Sequence, residues 1–175
     1  QKLKRLRATP SMTIDGTSIE LQANIELPDD LDAVKQCGAT GIGLFRSEFL
    51  FLGRLELPSE DEQFEAYRKV AAAMKAHPVT IRTLDVGADK RLDGLNLSGT
   101  TSALGLRAIR YCLSEPRLFL TQLRAILRAS QFGKVQILIP MLSSSLEIKQ
   151  ALDMVKHAKE QLREANIAFD AGIKV

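Results

Sequence analysis

A chain of 175 residues with 45% apolar content is long enough for one domain that buries about 70% of its unfolded surface, which excludes a disordered or fibrous polypeptide. The net charge of +3 and the pI near 9.0 do not describe the folded part: Lys2, Lys4, Arg5 and Arg7 supply four positive charges, and removing them from +3 leaves −1. A basic nucleic-acid stripe is therefore not expected, and no apolar run reaches a membrane span or a signal peptide, so a cytoplasmic protein without membrane or nucleic-acid partners is expected.

Residues 1–18 read as a basic linker with a turn at Asp15-Gly16, and residues 19–25 as a first strand in which Ile19, Leu21, Ala23 and Ile25 alternate with polar neighbours. Asp29 or Asp30 can cap a helix that runs to Cys37 and stops at Gly38. A short apolar strand over 41–45 follows and ends on Arg46, with Phe49-Leu50-Phe51 as the first turn of the next segment. Ser59 and Glu62 have the spacing of a capping box, and Phe64, Tyr67, Ala71 and Met74 recur at helical intervals behind it. The β-branched run 79–84 is a further strand, again with an arginine, Arg82, near its carboxyl end.

A polar loop leads to two helices, over 104–113 and 118–130, with Pro116 suited to a first turn and Gly133 past the second end. Residues 135–139 form another strand closed by Pro140. Ser144 and Glu147 then open a long helix whose apolar stripe is Ile148, Leu152, Val155 and Leu162, and residues 172–175 begin a fifth strand. Cys37 and Cys112, far apart and without a CxxC motif, read as buried reduced thiols, and His77 and His157 as surface side chains.

Strand and helix alternate without hairpin turns, so the fold class is α/β with parallel strands and crossover helices. An open doubly wound sheet and a (β/α)8 barrel compete, and four βα units plus the start of a fifth strand fit half a barrel. No GxGxxG follows the first strand, which counts against a dinucleotide site. Alternation puts Thr80, Arg82 and Leu84 on one strand face, and Arg46 ends the adjacent strand, so two guanidinium forks can converge on one anion. The competing reading is that Glu48 and Asp85 neutralise these arginines internally. Lys90, soon after Gly87, can reach a phosphate as a point charge or stand in solvent, and the run from Asp85 to Lys90 lacks the final glutamate of a calcium loop. Arg107 and Arg110 can place a guanidinium over the same rim; Arg124 and Arg128 read as a solvated helix face.

Three segments in order, Gly41-Ile42-Gly43-Leu44-Phe45-Arg46-Ser47-Glu48-Phe49, Ile81-Arg82-Thr83-Leu84-Asp85-Val86-Gly87-Ala88-Asp89-Lys90 and Leu104-Gly105-Leu106-Arg107-Ala108-Ile109-Arg110, resemble enzyme I of the bacterial sugar phosphotransferase system, the phosphoenolpyruvate-protein phosphotransferases. Gln122-Leu123-Arg124-Ala125-Ile126-Leu127-Arg128-Ala129-Ser130 and Phe132-Gly133-Lys134 extend the resemblance, which runs from about Ile19 to Val175. Ser47 stands where threonine is usual and the loop over 91–103 diverges, which leaves the sugar or nitrogen-regulatory branch open.

The resemblance implies a TIM-type barrel that binds phosphoenolpyruvate and Mg2+ at its carboxyl rim. On matching positions Arg46, Arg82 and Lys90 would bind the substrate, Arg107 would stabilise the phosphoryl group in transfer, and Asp85 would orient these cations. It also implies that residues 19–175 are the first half of the barrel and residues 1–18 a linker from an absent domain that carries the phosphoaccepting histidine and docks the phosphocarrier HPr. The Mg2+ ligands and the proton-donating cysteine would lie beyond Val175, the complete protein would be a homodimer, and the 175 residues alone would be inactive. Pyruvate phosphate dikinase or phosphoenolpyruvate synthase relatives and a non-catalytic dimerisation module are the alternative readings.

Overall fold

The computed structural model describes residues 9–86 and 105–175. Four strands, β1 (Ala23–Ile25), β2 (Ile42–Arg46), β3 (Pro78–Arg82) and β4 (Lys134–Leu138), form one sheet in the order β1-β2-β3-β4. Every pairing is parallel. The connecting helices are α1 (Leu31–Cys37), α2 (Glu60–Met74), α3 (Ile109–Ser114), α4 (Pro116–Ala129) and α5 (Ser145–Glu164). Strands laid down in sequence order, without the reversal a doubly wound sheet requires, put crossovers of one hand on one face. The direction continues past β4, where the Ile137 N–H donates to the Lys174 carbonyl at 2.9 Å and Gln136 pairs in parallel with Lys174.

Burial follows that one-sidedness. Val79 and Ile81 of β3 and Val135 and Ile137 of β4 face the helices and are buried, whereas Thr80, Arg82, Gln136 and Leu138 alternate onto the open face. Tyr67, Val70 and Ala71 of α2 and Phe119, Leu123 and Ile126 of α4 are fully buried against the sheet side, and the Tyr67 ring meets Phe45 edge-on at 5.6 Å. From α5 the buried residues are Ala151, Val155, Ala158 and Leu162. Ile148 and Leu152, expected in that stripe, are instead about half exposed and line an apolar groove with Leu138, Leu142 and Val175 on the open face. Helical periodicity places a residue on a stripe but does not say what covers each end of it.

Local chemistry explains the element ends. Gly38 adopts φ 76°, the left-handed conformation that stops α1. A Cβ on Gly133 would sit 2.5 Å from the Ala71 carbonyl oxygen, so the chain enters β4 beneath α2 only because it has no side chain there. The first strand is shorter than expected, Ala23–Ile25, and residues 105–108 are not helical. Cys112 is buried, its thiol pushed up to about 12 by burial, whereas Cys37 is exposed at the end of α1 and donates to the Val34 carbonyl. His77 and His157 are both exposed. Arg124 and Arg128 do not form a solvated face: both grip Glu60 at the start of α2, at 2.6 and 2.8 Å, and Arg128 stacks over Phe64.

Three carboxylates act at helix starts. Ser59 and Glu62 form the expected reciprocal box, and the Ser59 N–H together with Arg54 holds Glu62 below its ordinary range. Asp30 reaches back to the N–H groups of Glu26 and Leu27, and Glu147 accepts from the Ser143 N–H; both are also lowered. Folded values below the unfolded ones mean stabilisation that is complete above the ordinary carboxylate range of about 4 and is lost as pH falls through the folded values. Thermal unfolding followed from pH 6 to pH 3 is expected to show a falling midpoint, and Glu62→Gln a shallower fall than the native protein. Equal slopes would remove Glu62 from that account.

Candidate functional site

Arg46 and Arg82 are the last residues of β2 and β3, and they are direct partners in the parallel register. Sequence alternation alone therefore located two guanidinium positions side by side at the carboxyl ends of adjacent strands. Their side chains, however, take different partners. Arg46 turns toward β1 and bonds the Glu26 carboxylate at 2.9 Å, a pair whose side chains are 40% and 44% exposed. Arg82 is held by Glu48 through Nη2 and by Asp85 through Nη1, the latter at 3.2 Å.

Asp85 is the junction of the site. One of its oxygens takes Arg82 and the other takes Arg107 Nε at 3.1 Å, so a carboxylate three residues past Arg82 brings the two guanidinium groups together. Arg110 does not join them; its Nε donates to the Gly105 carbonyl and its Nη1 lies 4.0 Å from Glu147. Lys90, the remaining expected cation, lies outside the described residues.

The expected internal neutralisation of Arg82 by Glu48 and Asp85 is thus present, but Arg46 is neutralised by Glu26, a partner the sequence reading did not name. Three arginines face three carboxylates. A carboxylate therefore competes with an entering anion at each guanidinium, least at the half-exposed Arg46–Glu26 pair and most at Arg82, whose side chain is 19% exposed against 3% for Glu48.

The buried pair is also incompletely satisfied. Glu48 Oε2, Arg82 Nε and Thr83 Oγ1 are buried without a hydrogen-bond partner among the described residues. Each such group costs about 1–3 kcal/mol, a burden that concentrates where a protein holds polar groups for a ligand. Backbone strain lies in the same place: Ala108, beside Arg107, is fully buried at φ 49°, a conformation costing a non-glycine residue about 1–3 kcal/mol. Its N–H donates to the Val86 carbonyl, which ties the Arg107 segment to the exit of β3.

Sequence reasoning also passed over a buried polar chain beneath these arginines. Gln122 of α4 is fully buried, with Oε1 accepting from the Leu84 N–H and Nε2 donating to Ser47 Oγ and the Tyr67 hydroxyl. Ser47 Oγ in turn donates to the Arg82 carbonyl at 2.6 Å. Burial pushes the Tyr67 hydroxyl well above the ordinary phenol range, so it stays protonated. The signal for Gln122 was present: it is an amide on the apolar face between Phe119, Leu123 and Ile126.

A metal cage is not among these features. No group of three His, Cys, Asp or Glu side chains that could hold an ion occurs among the described residues, and Glu48 and Asp85 are committed to guanidinium groups. What the arrangement can do is bind and polarise a small dianion with planar, always charged forks.

The family model described as PEP-utilising enzyme, PEP-binding domain, matches residues 1–175. A phosphoenolpyruvate-protein phosphotransferase of Cupriavidus necator is 56% identical over the whole chain, which spans 30% of that protein. Proteins of the same name from Staphylococcus epidermidis and Staphylococcus carnosus are each 48% identical over 93% of the chain, which spans 28% and 29% of their lengths. The chain thus spans less than a third of the curated relatives it matches. By the full-length family match and by these relatives, the chain belongs to the PEP-utilising enzymes, in their PEP-binding domain family.

Proposed function

We propose that the chain is the phosphoenolpyruvate-binding part of a phosphoenolpyruvate-protein phosphotransferase, a cytoplasmic enzyme that passes the phosphoryl group to one of its own histidines and then to HPr. The observation that carries this reading is the register of Arg46 with Arg82 and the linkage of Arg82 to Arg107 through Asp85. The sequential parallel sheet, with Lys174 already beside β4, supports a (β/α)8 barrel of which residues 19–175 form the first half and residues 1–18 the linker. The relatives' names favour this reading over an ATP-using dikinase.

In this reading Arg46 and Arg82, with Lys90, hold the carboxylate and phosphate of phosphoenolpyruvate. Arg107 faces the three phosphoryl oxygens over which a loose transition state spreads its charge, and Asp85 sets the spacing of Arg107 from Arg82. The P–O bond to the enol oxygen breaks as the acceptor nitrogen bonds phosphorus. Mg2+ and a homodimer belong to the proposal through the family; the described carboxylates do not fit a metal, so no step is assigned to one.

Isothermal titration of phosphoenolpyruvate and Mg2+ into the intact protein, together with turnover of Arg107→Met, tests the reading. Binding heat is expected in the native protein. The variant should lose about 100-fold or more in kcat while its dissociation constant changes less than about tenfold, because Arg107 acts mainly on the transition state. Absence of binding heat in the native protein would leave a non-catalytic dimerisation module.

A further inference from the structure

We infer that Gln122 is a positioning residue for the phosphoenolpyruvate clamp: a single buried amide that fixes the distance between the two arginine-bearing strand ends. This inference rests on the functional reading above. Gln122 sits on α4, behind the sheet, and touches none of the arginine side chains among its hydrogen-bond partners. Two of its three bonds instead end on residues that follow the arginines, the Leu84 N–H and Ser47 Oγ, and the third goes to the Tyr67 hydroxyl of α2.

The Leu84 N–H lies past the last ladder residue of β3, where the sheet offers it no carbonyl; the Gln122 oxygen takes it at 2.9 Å. The next residue is Asp85, which holds Arg82 and Arg107. On the other side, the amide nitrogen holds Ser47, the residue after Arg46, at 2.9 Å, and Ser47 passes the bond to the Arg82 carbonyl. The exits of β2 and β3 are therefore spanned by one rigid planar group rather than by loop residues free to shift.

Donor directions around the amide leave a single arrangement. Tyr67 accepts from Gln122 and donates to Gln63 Oε1 at 3.4 Å, and Gln63 donates to the Pro58 carbonyl. Ser47 accepts from Gln122 and donates to Arg82. Each hydroxyl in the chain accepts from Gln122 and donates onward, so turning the amide over would set its NH2 against the Leu84 N–H and leave Ser47 and Tyr67 without a donor. Each residue in the chain except Arg82 comes from a helix or a loop outside the strands. The network thus transmits the packing of α2 and α4 to the strand ends, where a misplacement of about 1 Å can cost about 100-fold in rate.

The test compares Gln122→Met, Ser47→Ala and Ser47→Thr in the intact protein, with Ile126→Val as a core control on the same helix. Readouts are kcat and KM for phosphoenolpyruvate, taken well below each unfolding midpoint, and the arginine Nε–H resonances in the substrate-free protein. Gln122→Met and Ser47→Ala are expected to lower kcat/KM about tenfold or more, chiefly through KM, and to move the Arg82 and Arg107 signals. Ser47→Thr, which keeps the hydroxyl, should stay near native values, and Ile126→Val should change only the midpoint. Should Gln122→Met not fold, the serine pair decides. Native kinetics and unmoved arginine signals in the folded variants, or losses equal to those of the control, overturn the positioning role. A native protein that binds and turns over no phosphoenolpyruvate overturns the functional reading itself, and the kinetic claim with it; the arginine signals then report the geometry alone.

Discussion

Arg82→Ala is expected to destabilise the protein by about 3–5 kcal/mol, because it removes the single cation from between two buried carboxylates. Glu48 is 2% exposed and Asp85 is 11% exposed at its side chain, and both bond Arg82. Asp85 keeps Arg107, but Glu48 keeps no cation among the ion pairs of the described residues, and its second oxygen already lacks a hydrogen-bond partner. The loss exceeds that for an exposed pair because water cannot reach in to replace the guanidinium. Removing both charges tells the two causes apart. The double variant Glu48→Gln with Arg82→Met should recover about half of the lost stability or more, since no isolated charge then stays inside. Urea unfolding of native, single and double variants measures this. A single variant within about 1 kcal/mol of native would mean that Glu48 is solvated in solution.

How much of this was readable in advance differs from residue to residue. Arg46 and Arg82 stood out because each ends an apolar run, and parallel pairing then makes them neighbours. Asp85 was legible as an internal partner of the arginines and Arg107 as a cation over the same rim, with only their catalytic roles coming from the resemblance, and the structure brings both to Arg82. Glu26 was not readable, since its meeting with Arg46 depends on how β1 and β2 register, and the ladder there contains a shift between Ala23 and Asn24. The same limit explains Cys37 and Leu152. Periodicity places Leu152 on an apolar stripe and apolar neighbours make Cys37 look buried, but exposure is decided by which other element covers that end, and none does among the described residues. Arg124 and Arg128 fail in the opposite direction: charged helix positions look solvated until α2 supplies Glu60 across the interface.

Arg46→Ala should behave as the converse of Arg82→Ala. Its pair with Glu26 is 40% and 44% exposed, and pairs of that kind contribute about 0–1 kcal/mol, so the unfolding free energy should move by no more than that. Phosphoenolpyruvate affinity in the intact protein should nonetheless fall about 100-fold, or about 2.7 kcal/mol, since a fork that bonds an anion directly is lost. The reason for the split is competition. In the free protein Arg46 is already paired through Nη1 with a carboxylate that water can replace, and the substrate competes with that carboxylate for its charge. Glu26→Gln removes the competitor without removing the fork, and is therefore expected to tighten phosphoenolpyruvate binding a few-fold, whereas Arg46→Ala weakens it. Calorimetric titration of the two variants beside the native protein checks both signs. Weaker binding in Glu26→Gln would mean that Glu26 holds Arg46 in its binding geometry, and the exposed pair would then be part of the clamp rather than its competitor.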